Sequence, residues 1–207
     1  MPDIEASKIE AVVFDVGNVL VRWDRSLPFL DRFDSEAELE RFLDEVIPLA
    51  WHAQHDAGLS AAEMVAERAA RFPDYAEPIG EWFTRFNETI PGPVTGMPEI
   101  VAALAARSVP LYAITNFGAD TWAGFLPEFT LASHFRDTVV SGIEKLMKPD
   151  PAIFALAARR FGHAPERMLF VDDSLANVEG ARACGWQAHH FVDSAGLEAD
   201  LRMRKLL

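Results

Sequence analysis

Residues 9–16 form an almost unbroken apolar run, Ile9, Ala11, Val12, Val13, Phe14 and Val16, which predicts a buried strand. From Ala11 onward its one acid is Asp15, near its end, and a carboxylate there is out of place in a core unless it has a task. From residue 25 to residue 92 the apolar period is helical throughout. Ser35 and Glu38 form a candidate capping box, followed by Leu39, Phe42, Leu43, Val46 and Ile47 at helical spacing. Ser60 and Glu63 repeat the device, with Leu59 and Met64 placed as a hydrophobic staple and Ala61, Met64, Val65, Ala69 and Phe72 on one face. Ile79, Trp82, Phe83, Phe86 and Ile90 mark a third helix, and PGPVTGMP, 91–98, reads as a linker.

Beyond the linker, helix and strand patterns alternate. MPEIVAALAARS predicts a helix with Pro98 in its first turn, and VPLYAITN a strand ending in Thr115 and Asn116. DTVVSG reads as another strand. DPAIFALAARRFG is a helix with Asp150 as N-cap, Pro151 at its first position and Gly162 past its end. RMLFVDDS is a strand ending in two acids, SLANVEGARACG a helix capped by Ser174, and WQAHHFV a last strand. This alternation predicts an α/β fold, a parallel sheet with helices on both faces. The chain then divides into a core domain, residues 1–20 and 93–207, and a small all-helical cap domain, residues 21–92, inserted after the first strand.

In an open parallel sheet, ligands bind outside the carboxyl ends of the strands. Those ends here carry Asp15, Thr115 and Asn116, the loop before Lys148, and Asp172 with Asp173. Carboxylates gathered there repel one another, by about 4 kcal/mol for a pair ~4 Å apart at an effective dielectric of about 20. They need a cation, and Mg²⁺ suits hard oxygen ligands with room for water and a phosphate oxygen. Lys148 adds a second positive charge, Thr115 a hydroxyl, and the helix start after Ser174 backbone N–H groups. The set describes a phosphate site, in which one carboxylate can attack phosphorus and form an aspartyl-phosphate.

Composition narrows the partners. The 207 residues are 50% hydrophobic and 25% charged, an ordinary globular balance. A net charge of −13 makes nucleic acid and anionic membranes poor partners, and leaves room for a small phosphorylated metabolite if positive groups are focused locally. The single cysteine, Cys184, forms no internal disulfide and fits a reducing compartment. Met1 to Glu10 shows no apolar leader segment, and no apolar run approaches the ~20 residues of a membrane span. The expectation is a cytoplasmic protein, monomer or homodimer, with five tryptophans leaving room for an apolar interface.

With these residues in place, the sequence resembles the haloacid dehalogenase superfamily of hydrolases. FDVGNVL, 14–20, looks like its first motif, ITN, 114–116, its second, Lys148–Pro149 its third, and FVDDS, 170–174, its fourth. Each motif alone is weak; the four in order are specific. The resemblance implies a Rossmann-like sheet of strand order 5-4-1-2-3. It implies Asp15 as nucleophile and Mg²⁺ held by Asp15, the Gly17 carbonyl, Asp172 and Asp173. It implies that Thr115, Asn116 and Lys148 bind the transferred phosphoryl group, with Lys148 also serving the chemistry. The DxGNV form and HAQHDAGLS, 52–60, resemble a subgroup that includes sugar-phosphate phosphatases.

The departure is Gly17, where phosphatases of the superfamily usually carry a second aspartate that serves the leaving oxygen as acid and then water as base. A positioned acid/base contributes roughly 10²–10⁴-fold, so the gap favours leaving groups that depart without a strong acid, such as anomeric or acyl phosphates. Asn18 is a candidate contact near the metal or leaving group. Asp24 could replace the acid, but the start of the cap is its favoured reading. His52 and His55, three apart on one helix, are candidate substrate contacts, while His189 and His190 read as structural. The rivals are a 2-haloacid dehalogenase, which also lacks the second aspartate but uses no metal, and a non-catalytic metabolite-binding protein of the same fold. The adjacent Asp172–Asp173 pair favours the metal-dependent phosphatase.

Overall fold

The computed structural model describes residues 8–207. The start of the expected core domain, and most of the stretch expected to lack a leader, lie outside the described residues. Strand β1 (Ala11–Phe14) is buried at every position, as its apolar run requires. β2 (Val21–Arg22) pairs antiparallel with β3 (Gly92–Pro93), a ribbon that joins the two ends of the helical segment. Between them lie α1 (Glu36–Arg41), a π-helical turn (Phe42–Val46), α2 (Leu49–Asp56), α3 (Ala61–Arg71) and α4 (Ala76–Thr84). The expected third helix stops at Thr84 and continues as a 3₁₀ turn, Phe86–Thr89. Then come α5 (Met97–Ala106), β4 (Leu111–Thr115), α6 (Ala119–Phe125), β5 (Asp137–Val140), α7 (Ser141–Glu144) and α8 (Pro151–Phe161). β6 (Met168–Asp172), α9 (Leu175–Ala183), β7 (Gln187–His190) and α10 (Ser194–Met203) complete the chain. α10 has no counterpart among the elements expected from the sequence.

The sheet order is β5-β4-β1-β6-β7, all parallel. Numbering only these five strands in chain order and reading from the β7 edge, that is 5-4-1-2-3, the expected topology. The chain builds outward from β1 on one side through β4 and β5, then on the other through β6 and β7. β1 is therefore the switch point, and its carboxyl end opens between those of β4 and β6. Alternate β1 side chains face opposite ways. Val12 and Phe14 pack with Ile100, Leu104, Leu197 and Leu201 of α5 and α10. Ala11 and Val13 pack with Phe154, Ala157, Val178 and Ala181 of α8 and α9. Among the described residues, no helix is long and apolar enough to cross a membrane.

The local signals hold with two exceptions. Ser35 and Ser60 accept the N–H of Glu38 and Glu63. Asp150 accepts the N–H of Ala152, and Gly162 ends α8 in the left-handed region. Ser174 does not cap α9 with its side chain; its own N–H is taken by Asp172 Oδ1 at 2.8 Å. Leu59 stays 48% exposed, so the expected staple on Met64 does not shield it.

Candidate active site

The carboxyl ends of β1, β4 and β6 meet beneath α2. The Asp15 backbone N–H completes the sheet ladder to Val171 O at 2.8 Å, which fixes where its side chain leaves the strand. Lys148, from the loop before α8, is 3% exposed and reaches between two acids. Its Nζ lies 2.8 Å from Asp15 Oδ1 and 2.7 Å from Asp172 Oδ2. Asp172, fully buried, is held by Ser174 N–H and by Asn177 Nδ2, which reaches both of its oxygens at 3.0 and 3.2 Å. One carboxylate oxygen from each of Asp15, Asp172 and Asp173 lies within 4.8 Å of the others.

Burial pushes the Asp15 carboxyl up, the Lys148 ammonium pulls against it, and Asp172 adds to the rise; the net direction is upward. Asp173 is raised by burial and by Asp172. For Lys148, burial acts downward, but attraction to Asp15 and Asp172 prevails and its pKa is raised. Three acids against one ammonium leave negative charge unbalanced, in an all-oxygen donor set that fits a hard divalent cation such as Mg²⁺.

A cavity of about 310 Å³ opens above this floor. Asp15, Gly17, Asn18, Thr115, Asn116, Lys148 and Asp173 line its lower part, and His52 lines it from α2. A Cβ built on Gly17 would meet nothing within 4 Å, so the missing side chain is not excluded by crowding. Asn18 sits in the left-handed region, φ 54°, and its Oδ1 accepts the Trp23 N–H at 3.1 Å.

Two expectations need correction. Asn116 does line the cavity, but its side-chain amide is spent on the Lys148 backbone, donating to its carbonyl at 3.0 Å and accepting its N–H at 2.9 Å. His55 is not among the cavity's lining residues. Its Nδ1 meets Leu59 O at 2.9 Å and its Nε2 meets Asp120 Oδ1 at 2.7 Å, and the ring lies where a Cβ on Gly118 would sit. Residues three apart differ by about 60° around a helix; that rotation takes His55 to α6. Asp24 bonds Ser26 locally and does not line the cavity, as its favoured reading expects.

His52 is locked differently. Trp82 Nε1 donates to its Nδ1 at 3.2 Å, which puts the ring proton on Nε2. It stacks between Trp23 and Phe86, with centroids at 5.8 and 5.6 Å. Burial lowers its pKa to about 3, with His55 and Arg25 adding to the fall, so the ring is neutral.

Asp56, at the end of α2, is a cavity residue that sequence reasoning missed. Its place four after His52 on the same helix was the available signal. Burial pushes it up to about 7, against the pull of the Gly118 backbone N–H and Lys148. Its Oδ1 is buried and has no hydrogen-bond partner among the described residues.

A family profile for haloacid dehalogenase-like hydrolases matches residues 9–185. A phosphoserine phosphatase of Thermus thermophilus is 35% identical over 126 residues, 59% of this chain and 49% of that protein. A phosphoglycolate phosphatase of Escherichia coli is 33% identical over 87 residues, 42% of this chain and 34% of that protein. The chain thus spans half or less of the length of these curated relatives. A haloacid-dehalogenase-family enzyme of Bacteroides thetaiotaomicron, solved with magnesium and inorganic phosphate, superposes with a TM-score of 0.68 at 20% identity, covering 91% of this chain and 98% of that one. By the span of the profile match, and by a fold and motif order that agree with it, the chain belongs to the haloacid dehalogenase-like hydrolases.

Proposed function

We propose that this hydrolase is a Mg²⁺-dependent phosphatase of a small phosphorylated metabolite, a sugar phosphate in particular, acting through an aspartyl-phosphate on Asp15. Residues 21–92 serve as the cap over a core of 1–20 and 93–207. The observation that carries this reading is the floor of the cavity, where three carboxylates within 4.8 Å of one another share one buried lysine. A dehalogenase that attacks carbon without a metal has no use for so crowded a set of acids.

Asp15 attacks phosphorus, Lys148 balances charge on the phosphoryl oxygens, and Thr115 offers its hydroxyl from the neighbouring strand end. Asp15, Asp172 and Asp173, with the Gly17 carbonyl, would hold Mg²⁺, which when bound adds positive charge where negative charge develops. Asn116 acts on the phosphoryl group by fixing Lys148. Asn177 orients Asp172.

The walls bear on the substrate. Ligand cavities run from about 300 to 1,000 Å³, so 310 Å³ suits a small molecule. Above the acids, the walls are Val21, Trp23, Leu49, Phe86, Ile90 and Phe117. Lys148 is the only lysine or arginine among the lining residues, and His52 is neutral. A second anionic group on the substrate, such as the carboxylate of phosphoglycolate or phosphoserine, would have no counter-charge there. Trp23 Nε1, buried with no hydrogen-bond partner among the described residues, is a spare donor on a residue that lines the same cavity as Asp56 with its spare acceptor, and both chemistries match hydroxyl groups. The lone Cys184 is consistent with a cytoplasmic enzyme.

The test is a phosphate-release screen over metabolites, with and without EDTA, on wild type and Asp15→Asn. Turnover of phosphate esters of otherwise uncharged sugars that vanishes with EDTA and in the variant is expected. Equal activity of the two proteins would refute the nucleophile. Metal-independent halide release from a 2-haloacid would establish the dehalogenase instead, and metabolite binding without turnover a binding protein.

A further inference from the structure

We propose that Asp56 is the proton donor to the leaving oxygen, doing from the cap helix what Gly17 cannot do from the first motif. The proposal rests on the phosphatase reading above.

Three aspartates line the cavity. Asp15 and Asp173 belong to the cluster on its floor, and Asp56 is the remaining one. It is 8% exposed, at the last turn of α2. A buried carboxylate oxygen without a partner is unusual in a folded protein and calls for a ligand or a proton. Oδ1 is such an oxygen. His52 Nε2 lies 3.6 Å from it, beyond hydrogen-bond length. Because Trp82 fixes the tautomer, His52 turns an N–H toward Asp56 and cannot itself act as the acid.

The surrounding structure holds Asp56 in place from the core side. Its backbone carbonyl accepts the Ser141 hydroxyl at 2.6 Å, and the Gly118 backbone N–H draws on its carboxylate. One residue earlier, His55 bonds Asp120 across the same junction. A pKa near 7 leaves Asp56 half protonated at neutral pH, the balance that suits a group giving up one proton and then taking another.

The atoms balance. Asp15 oxygen bonds phosphorus as the P–O bond to the leaving group breaks, and the Asp56 proton passes to that oxygen to give an alcohol. The Asp56 carboxylate then takes a proton from water, whose oxygen bonds phosphorus. The bond to Asp15 breaks, releasing inorganic phosphate and restoring both acids.

The experiment compares wild type, Asp56→Asn and Asp56→Glu by first-turnover rate, so that later hydrolysis of the aspartyl-phosphate does not enter. The probes are acetyl phosphate and p-nitrophenyl phosphate, whose leaving groups need no proton, and glycerol 2-phosphate, whose alkoxide does. Circular dichroism checks that each variant is folded. The expected result is an Asp56→Asn rate within about threefold of wild type on the first two and about 10²-fold lower on glycerol 2-phosphate, with partial recovery in Asp56→Glu. The wild-type glycerol 2-phosphate rate falls as pH rises through about 7, and this limb is absent in Asp56→Asn. The groups facing Asp56 that could move the limb are Lys148 and His52, with His55 on the same helix. A loss equal across all three probes, the mark of a merely structural residue, would overturn the proposal, as would no loss on any. A wild type inactive on the whole panel would instead overturn the phosphatase reading.

Discussion

Asn116 grips Lys148 by both of its backbone polar groups, its Nδ2 3.0 Å from the lysine carbonyl and its Oδ1 2.9 Å from the lysine N–H. The grip sets the height at which the ammonium enters between Asp15 and Asp172. Asn116→Ala removes two hydrogen bonds and leaves backbone groups unpaired, at a cost of about 2 kcal/mol. The expected melting temperature falls by roughly 4–8 °C for a chain of this size. The kcat for the best phosphate ester should fall by about tenfold, with KM less affected, as displacement of a charged group implies. An unchanged kcat would show that the loop holds Lys148 without help.

Lys148→Met tests the charge balance of the floor. Breaking a buried ion pair on one side costs about 3–5 kcal/mol, and here two acids lose the same partner. The variant should be inactive and melt well below wild type without metal, and Mg²⁺ should raise its melting temperature more than that of wild type. Equal Mg²⁺ shifts in the two proteins would argue that the acids do not share a cation site.

Gly17→Asp should fold normally, because nothing lies within 4 Å of the added Cβ and the backbone is not left-handed there. Alone, it should change the glycerol 2-phosphate rate by no more than a few fold. In an Asp56→Asn background it should restore much of the lost ~10²-fold. Non-additivity of that size marks two groups that perform one task.

Asp56 and His52 give opposite pH slopes to stability. Asp56, raised from 3.8 to about 7, binds its proton more tightly when folded, so the stability it confers is lost as pH rises from about 4 to 7. His52, lowered from 6.5 to about 3, resists protonation when folded, so stability is lost as pH falls from about 6.5 to 3. Over the shared interval the two largely cancel. Melting curves of Asp56→Asn should therefore show a melting temperature raised at pH 8 relative to wild type, and a steeper fall below pH 6.5 where only His52 remains. Parallel curves for the two proteins would show that Asp56 titrates normally.

Much of this arrangement is legible in one dimension. A short apolar run such as 11–14 or 168–171, set between helical stretches, reads as a buried strand, and acids at its end then emerge at the sheet's edge. That alone brings Asp15, Thr115, Asp172 and Asp173 together, with Lys148 in the loop beside them. Asp150 and Gly162 were readable because a cap and a stop depend on local backbone alone. α10 went unread. Its apolar side is narrow, with only Leu197 and Leu201 buried, and only the α5 side of the sheet shows what they cover.

The order of apolar and polar residues by itself determined the α/β alternation and gathered the carboxylates and lysine of the site, while the strand order was implied only by the family resemblance of the motifs. It did so because strand burial and helix capping are near-neighbour effects. The tertiary structure alone decided that Asn116 serves Lys148, that His55 faces α6 while His52 faces the cavity, and that Asp56 is left with an unpaired oxygen. Those outcomes turn on which side chains from distant segments meet. His52 and Trp82 touch only when the helical segment folds on itself, and Asp56 and Ser141 only when that segment closes on the strand ends.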